Sequence, residues 1–270
     1  MGLEYLMQQL ELGEDDGCDF FSCLLTKAVD EYHKTNSSQD LELAIACARK
    51  LVAITEENSP HWAEQTANLG VVLIYRYERD GAINDLEEAT SVTRQAVTAT
   101  PDDHSDYPSW LNNLGIIYNH RFDFTGAMPD LEQAIDLFRQ AITTSTHEQP
   151  DFVVWGNTLA YLLCIHYEKM GRPRYIDEAI DLGRQVVLAT SEEDPGYPAR
   201  LYNLGLSFDL RFKRTGITED LIHAIFCIGN AIDAETSSAR ADWPEKLDEL
   251  IQELYRNYPT LSTSTRAEDN

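Results

Sequence analysis

The sequence predicts an all-α protein, a right-handed α-solenoid of antiparallel helical hairpins with about five repeats and a capping helix at each end. Three observations predict it. One pattern returns every 45 residues, each period holds two segments with helical apolar spacing, and a glycine falls between the two segments. The period is visible in columns. Asp40-Leu41-Glu42 with Ala44 returns as Asp85-Leu86-Glu87 with Ala89 and as Asp130-Leu131-Glu132 with Ala134, and the alanine column runs on through Ala179 and Ala224. Asn-Leu-Gly at 68–70 returns at 113–115 and 203–205, with Thr158-Leu159-Ala160 as a looser copy. Gly81, Gly126, Gly171 and Gly216 form a third column. One period before Gly81 stands Asn36, the next best residue for a left-handed helix end.

Within the third period, Trp110, Leu111, Leu114, Ile117, Tyr118 and Phe122 mark one face of a first helix; Leu131, Ala134, Ile135, Phe138 and Ile142 mark one face of a second. The glycine ends the first helix. Asp130 and its equivalents stand near the start of the second, where a carboxylate suits the helix dipole. Pro101, Pro108, Pro150 and Pro198 fall between units, where they interrupt no helix interior. A two-helix unit cannot bury its apolar face alone, so the units stack.

The repeats are expected at 18–56, 62–100, 107–144, 151–190 and 197–235, within 18–240. Leu3, Leu6, Met7 and Leu10 predict a short capping helix in 1–17, and Trp243 to Tyr258 a last one in 241–259. That last helix is one residue out of phase, because Trp243-Pro244 lies 46 residues after Tyr197-Pro198. Residues 260–270 are polar and expected to be disordered.

These columns resemble the tetratricopeptide consensus W-x2-L-G-x2-Y followed by A-x3-F-x2-A. Leu111, Leu114, Gly115 and Tyr118, then Ala134, Phe138 and Ala141, fill its slots; so do Leu201, Leu204, Gly205, Phe208, Ala224, Ile228 and Ala231. The unit is longer than the consensus of about 34 residues. In this it is similar to the repeats of kinesin light chains and to fungal arrays often fused to a CHAT domain or an NTPase module. The resemblance implies the superhelical fold strongly and function only weakly, since such repeats serve very many partners.

Composition narrows the classes of function. The 21 Lys and Arg against 46 Asp and Glu give a formal charge of -25, which repels phosphate backbones and anionic lipid surfaces. Neither nucleic acid nor a membrane is an expected partner, and no apolar stretch reaches the roughly 20 residues of a spanning helix. Five cysteines, an odd number without metal spacing, fit a reduced compartment, cytoplasmic or nuclear. No H-E-x-x-H, G-x-S-x-G or phosphate-cradling glycine loop occurs, so neither catalytic residues nor a metal or cofactor is expected.

Two sets of residues stand out. The column Arg76, Arg121, His166, Arg211 is followed nine residues later by Asp85, Asp130, Tyr175, Asp220. The unit that loses arginine also loses aspartate, which reads as a charge-assisted pair joining the two helices of a hairpin; a row of anion-binding arginines is the alternative. The second set lies on the inner faces of first helices, at phases that the resemblance implies for peptide contact. It comprises Asn68, Tyr75, Asn112, Asn113, Asn119, His120, Asn157, Tyr161, Tyr202, Asn203 and Asp209. An asparagine amide offers donors and an acceptor to an extended backbone, though at a repeated phase it can equally bond a neighbouring helix.

The expected function is a non-enzymatic scaffold or adaptor that holds a neutral or basic protein segment in its concave groove. The alternatives are a solenoid recruited to bind or convert a small molecule, and the repeat portion of a CHAT- or NTPase-type signalling protein.

Overall fold

The computed structural model describes residues 14–57, 59, 61–144, 151–235 and 242–259; the expected helix around Leu3 to Leu10 and the tail 260–270 lie outside them. Among the described residues there are eleven helices and no strand. The chain divides into two compact units, 1–145 and 146–270. The first holds three hairpins: α1 (Glu14–Thr35) with α2 (Ser38–Ile54), α3 (Trp62–Asp80) with α4 (Ile83–Ala99), and α5 (Tyr107–Thr125) with α6 (Met128–Thr144). The second holds α7 (Asp151–Met170) with α8 (Pro173–Leu188), α9 (Tyr197–Thr215) with α10 (Thr218–Ala234), and the unpaired α11 (Asp242–Asn257).

Within each unit the two helices of a hairpin pack on each other, and each second helix packs on the first helix that follows, as α2 does on α3, α4 on α5, α8 on α9 and α10 on α11. First helices also touch, α3 on α5 and α7 on α9. This is the all-α repeat solenoid that the 45-residue period predicts. The element bounds lie close to the expected ones, except that α1 starts at Glu14, a turn before residue 18, with Gly17 buried against Ile54.

The turn inside each hairpin follows from two side chains. Gly81, Gly126, Gly171 and Gly216 have φ of 70, 68, 68 and 70°, and Asn36 takes φ 53° at the same place in the first hairpin. There the amide of each reaches the carbonyl four residues back, as Gly126 does to Phe122 at 2.7 Å. Where threonine precedes the left-handed residue, it closes the turn. Thr125 donates to the Arg121 carbonyl at 2.8 Å and accepts from the Ala127 amide at 3.1 Å, and Thr35 and Thr215 repeat the arrangement.

Small residues set the distance between helices. Ala44, Ala89, Ala134, Ala179 and Ala224 are fully buried. A Cβ at Gly70 would meet the Thr93 hydroxyl, one at Gly115 the Phe138 ring at 3.0 Å, and one at Gly205 the Ile228 side chain at 2.7 Å. The last helix closes the second unit differently. Trp243 stacks on Tyr202 with ring centroids 4.4 Å apart and packs with Leu201 and Ala231, while Leu250 is the other buried residue of α11.

Candidate binding groove

The arginine column meets the aspartate column within the second, third and fifth hairpins. Arg76 grips Asp85 through Nε at 3.0 Å and Nη2 at 2.6 Å, and its Nη1 lies 3.4 Å from Glu42 of α2. Arg121 lies 3.4 Å from Asp130. Arg211 holds Asp220 at 2.9 and 2.7 Å and also reaches Asp177 of α8 at 2.7 Å. The bond to Asp220 raises the Arg211 pKa further above its ordinary range. In the hairpin without the pair, the His166 ring stacks on Tyr175 at 3.6 Å, and Arg174 lies 4.7 Å from the Tyr175 ring while donating to its hydroxyl at 2.9 Å. A cation–aromatic cluster thus occupies the position of the ion pair.

In the first unit, several inner-face candidates are engaged by neighbouring repeats. Tyr75 stacks beside Tyr32 at 6.0 Å and meets His33 edge-on at 5.1 Å, and burial pushes its hydroxyl pKa up. His120 Nε2 lies 3.2 Å from Glu78, with its ring against Tyr77. Asn112 donates to Asn113 at 3.4 Å. Asn68 and Asn119 are half-buried, and the Asn119 side-chain oxygen is enclosed without a donor.

In the second unit, α7 and α9 enclose a pocket of about 300 Å³, floored by α8 and closed at one side by α11. Of the sequence candidates it brings together Asn157, Tyr161, Asn203 and Asp209; Tyr202 lies instead on Trp243. Ala160, Val186, Leu204 and Leu210 give it an apolar body. At its rim Asn203 donates to Asn157 at 3.1 Å, joining α9 to α7, and Tyr161 stands 60% exposed.

Asp209 is not an open groove residue. It is 4% exposed, and its Oδ2 accepts from both Lys213 and Lys246 at 2.8 Å, while its Oδ1 is enclosed without a donor. A buried carboxylate requires such partners. Lys246 comes from α11, so the pair also fastens that helix to α9.

Sequence reasoning missed Lys213, Lys246 and Arg174. Only Lys213 had a local signal, its place one helical turn after Asp209. Cys164, at the register position of Asp209 one period earlier, lies with Sγ 3.3 Å from the Ser207 hydroxyl. Burial pushes the thiols of Cys47, Cys164 and Cys227 up to about 11, so all three are un-ionised at neutral pH and slow to react. Brief alkylation of the folded chain is therefore expected to label the exposed Cys23, with these three modified only after denaturation. Peptide mass mapping checks this, and rapid labelling of Cys164 in the native state contradicts its placement.

Comparison with known proteins agrees with the repeat architecture. The tetratricopeptide repeat family matches residues 62–106 and 109–142. No curated protein matches the chain in sequence. Among solved structures, a Podosopora anserina protein described as a kinesin light chain with nearly identical TPR-like repeats superposes with a TM-score of 0.56 at 18% identity, over 78% of this chain and 95% of that one. BtubC (BKLC) from P. vanneervenii gives 0.54 at 13% identity, over 83% and 91%. PilF from Pseudomonas aeruginosa gives 0.55 at 16% identity, over 95% and 100%. These likenesses concern the fold.

Proposed function

We propose, from the premise that this chain is a tetratricopeptide-repeat protein, that it is a non-enzymatic scaffold whose second unit holds a neutral or basic partner segment along α7 and α9. The observation that carries the reading is the pocket between these helices, an apolar body rimmed by the Asn157 and Asn203 amides and the Tyr161 ring. An extended segment is held there by its backbone on the amides and by one apolar side chain in the pocket. The formal charge of -25 favours segments without acidic residues. Repeat solenoids in general use their concave surfaces in this way.

A second reading is a small apolar ligand in the same pocket, whose volume of about 300 Å³ stands at the lower end of the usual range of ~300–1,000 Å³. Selection from a random peptide library separates the two. The first reading expects enriched peptides whose affinity falls at least about tenfold, or about 1.4 kcal/mol, in Asn157→Ala/Tyr161→Ala/Asn203→Ala. Melting should fall only slightly, since Tyr161 and Asn203 are exposed, where substitutions change stability by about 0.5 kcal/mol or less each, and the lost Asn203–Asn157 bond adds about 0.5–1.5 kcal/mol. Peptides that bind the triple variant as well as the parent contradict the groove. Failure to enrich any peptide favours the small ligand.

A further inference from the structure

The fourth hairpin departs from the others at one pair of positions, and the departure makes the pocket. The column Ala48, Thr93, Phe138, Gly183, Ile228 runs down the second helices. On the first helices the column that faces it is Gly70, Gly115, Ala160, Gly205 from the second hairpin on. In three hairpins the glycine stands on the first helix and makes room for its partner: a Cβ at Gly70 would meet Thr93, one at Gly115 would meet Phe138 and one at Gly205 would meet Ile228. In the fourth the order is inverted, with alanine on α7 and glycine on α8.

The structure shows where the freed space lies. The close approach of α7 and α8 is made one turn earlier, where a Cβ at Gly156 would lie 2.8 Å from the Val186 side chain. The three atoms nearest to a Cβ at Gly183 all belong to Leu204 of α9, at 3.1, 3.8 and 3.9 Å. The missing side chain would therefore point between α7 and α9, and Ala160, Gly183 and Leu204 all line the pocket there. Where the column elsewhere places Phe138 or Ile228, the floor of the pocket is bare helix backbone.

We infer that Gly183 is the residue that sets the specificity of this pocket, and that the group it admits is uncharged, apolar and the size of two fused rings. The inference rests on the reading of the pocket as the place where this chain takes hold of its partner. Size follows from volume. An apolar cavity of about 150 Å³ holds one benzene ring, and this pocket has about 300 Å³. Charge follows from the walls. Asp209 is held by Lys213 and Lys246, and Arg200 by Asp194, so these charges already have partners, and Glu168 at the rim is exposed to water. An ionised group entering the pocket would lose its hydration without gaining a free counter-ion inside.

A single methyl group is enough to change such a site. In Gly183→Ala the new Cβ pushes on Leu204 Cδ1, the free end of a side chain that already lines the pocket, so the space above the floor shrinks. Alanine is the better helix former, so the variant keeps its fold. Leu204→Val removes the displaced carbon and gives the space back.

Heteronuclear NMR titration of the full chain with two uncharged probes, naphthalenemethanol and benzyl alcohol, tests this. Both are expected to shift resonances of residues around the pocket, the two-ring probe binding at least about tenfold more tightly because four further carbons are buried. In Gly183→Ala the preference should fall to about threefold or less, with helix content unchanged and the one-ring probe still bound. Gly183→Ala/Leu204→Val should recover the parent's preference. Equal affinity of the parent for the two probes overturns the inference. So do shifts that fall away from the pocket, a preference that Gly183→Ala leaves intact, or a loss that Leu204→Val does not return. The N-acetyl amide of naphthylalanine tests the segment reading separately. If it binds more tightly than naphthalenemethanol, backbone contacts add to the ring; if it binds equally, the pocket takes a free small ligand, and in both cases Gly183 decides its size.

Discussion

Gly205→Leu is expected to lower the melting temperature by about 4–8 °C. In the structure a Cβ at this position would lie 2.7 Å from the Ile228 side chain, 3.2 Å from the Ala224 backbone oxygen and 3.3 Å from the Cys227 Cβ. The nearest side chain can turn aside, but a carbonyl on a facing helix cannot, so a larger residue forces α9 and α10 apart. Overpacking of this kind costs about 1–3 kcal/mol, occasionally more, and here about 1 kcal/mol is returned because leucine is the better helix former. Taking the upper end, a net loss of about 2 kcal/mol, and roughly 2–4 °C per kcal/mol for a chain of this size gives the range stated. Gly229→Ala is the control. Its surroundings are open, so the same gain in helix propensity acts alone and melting should rise slightly. Calorimetry of the two variants checks the pair of results, and an undiminished melting temperature for Gly205→Leu contradicts the packing of this hairpin.

Asp220→Ala is expected to destabilise by about 2–4 kcal/mol. Asp220 is 1% exposed and both its oxygens are taken by Arg211. Removing one member of a buried pair leaves the other charge poorly solvated, which costs about 3–5 kcal/mol when the site is dry. Arg211 keeps Asp177 and some contact with water, which puts the expected loss at the lower side. Arg211→Leu should cost a similar amount by leaving Asp220 buried alone. The double variant Arg211→Leu/Asp220→Leu should lose less than the sum, because two apolar side chains replace the pair without an orphaned charge. Urea denaturation of the four proteins measures the coupling. Strict additivity would mean that the two residues do not act as a unit.

The fold was legible because the chain repeats itself. Columns of alanine and glycine disclose the period, and a column also interprets its exceptions. Asn36 was readable as a left-handed helix end only because Gly81 stands one period later, and the structure gives it φ 53°. The joint loss of Arg and Asp at His166 and Tyr175 likewise pointed to a contact, and the two rings stack.

The site was less legible, for a physical reason. A groove residue is defined by what lies across from it, and that depends on tertiary neighbours outside the period. Asp209 and Tyr161 were read alike as open groove positions, yet Lys246 from α11 covers one of them. The one-residue phase shift of α11 hides that lysine from any comparison of columns. Arg174 escaped for a similar reason, since it compensates a change in its neighbour Tyr175 and has no counterpart in the other hairpins.

The central claim, that α7 and α9 of the second unit carry the binding surface, is tested most directly by photo-crosslinking. A peptide selected on the parent chain, with a photoreactive group replacing its apolar anchor, would be irradiated in complex and the attachment sites mapped by mass spectrometry. The account predicts attachment at Tyr161, Asn203 or Lys213 around the pocket, lost in the Asn157→Ala/Tyr161→Ala/Asn203→Ala variant. Attachment at the acidic connection Glu192-Glu193-Asp194, or on the outward faces of α8 and α10, persisting in that variant, would contradict it.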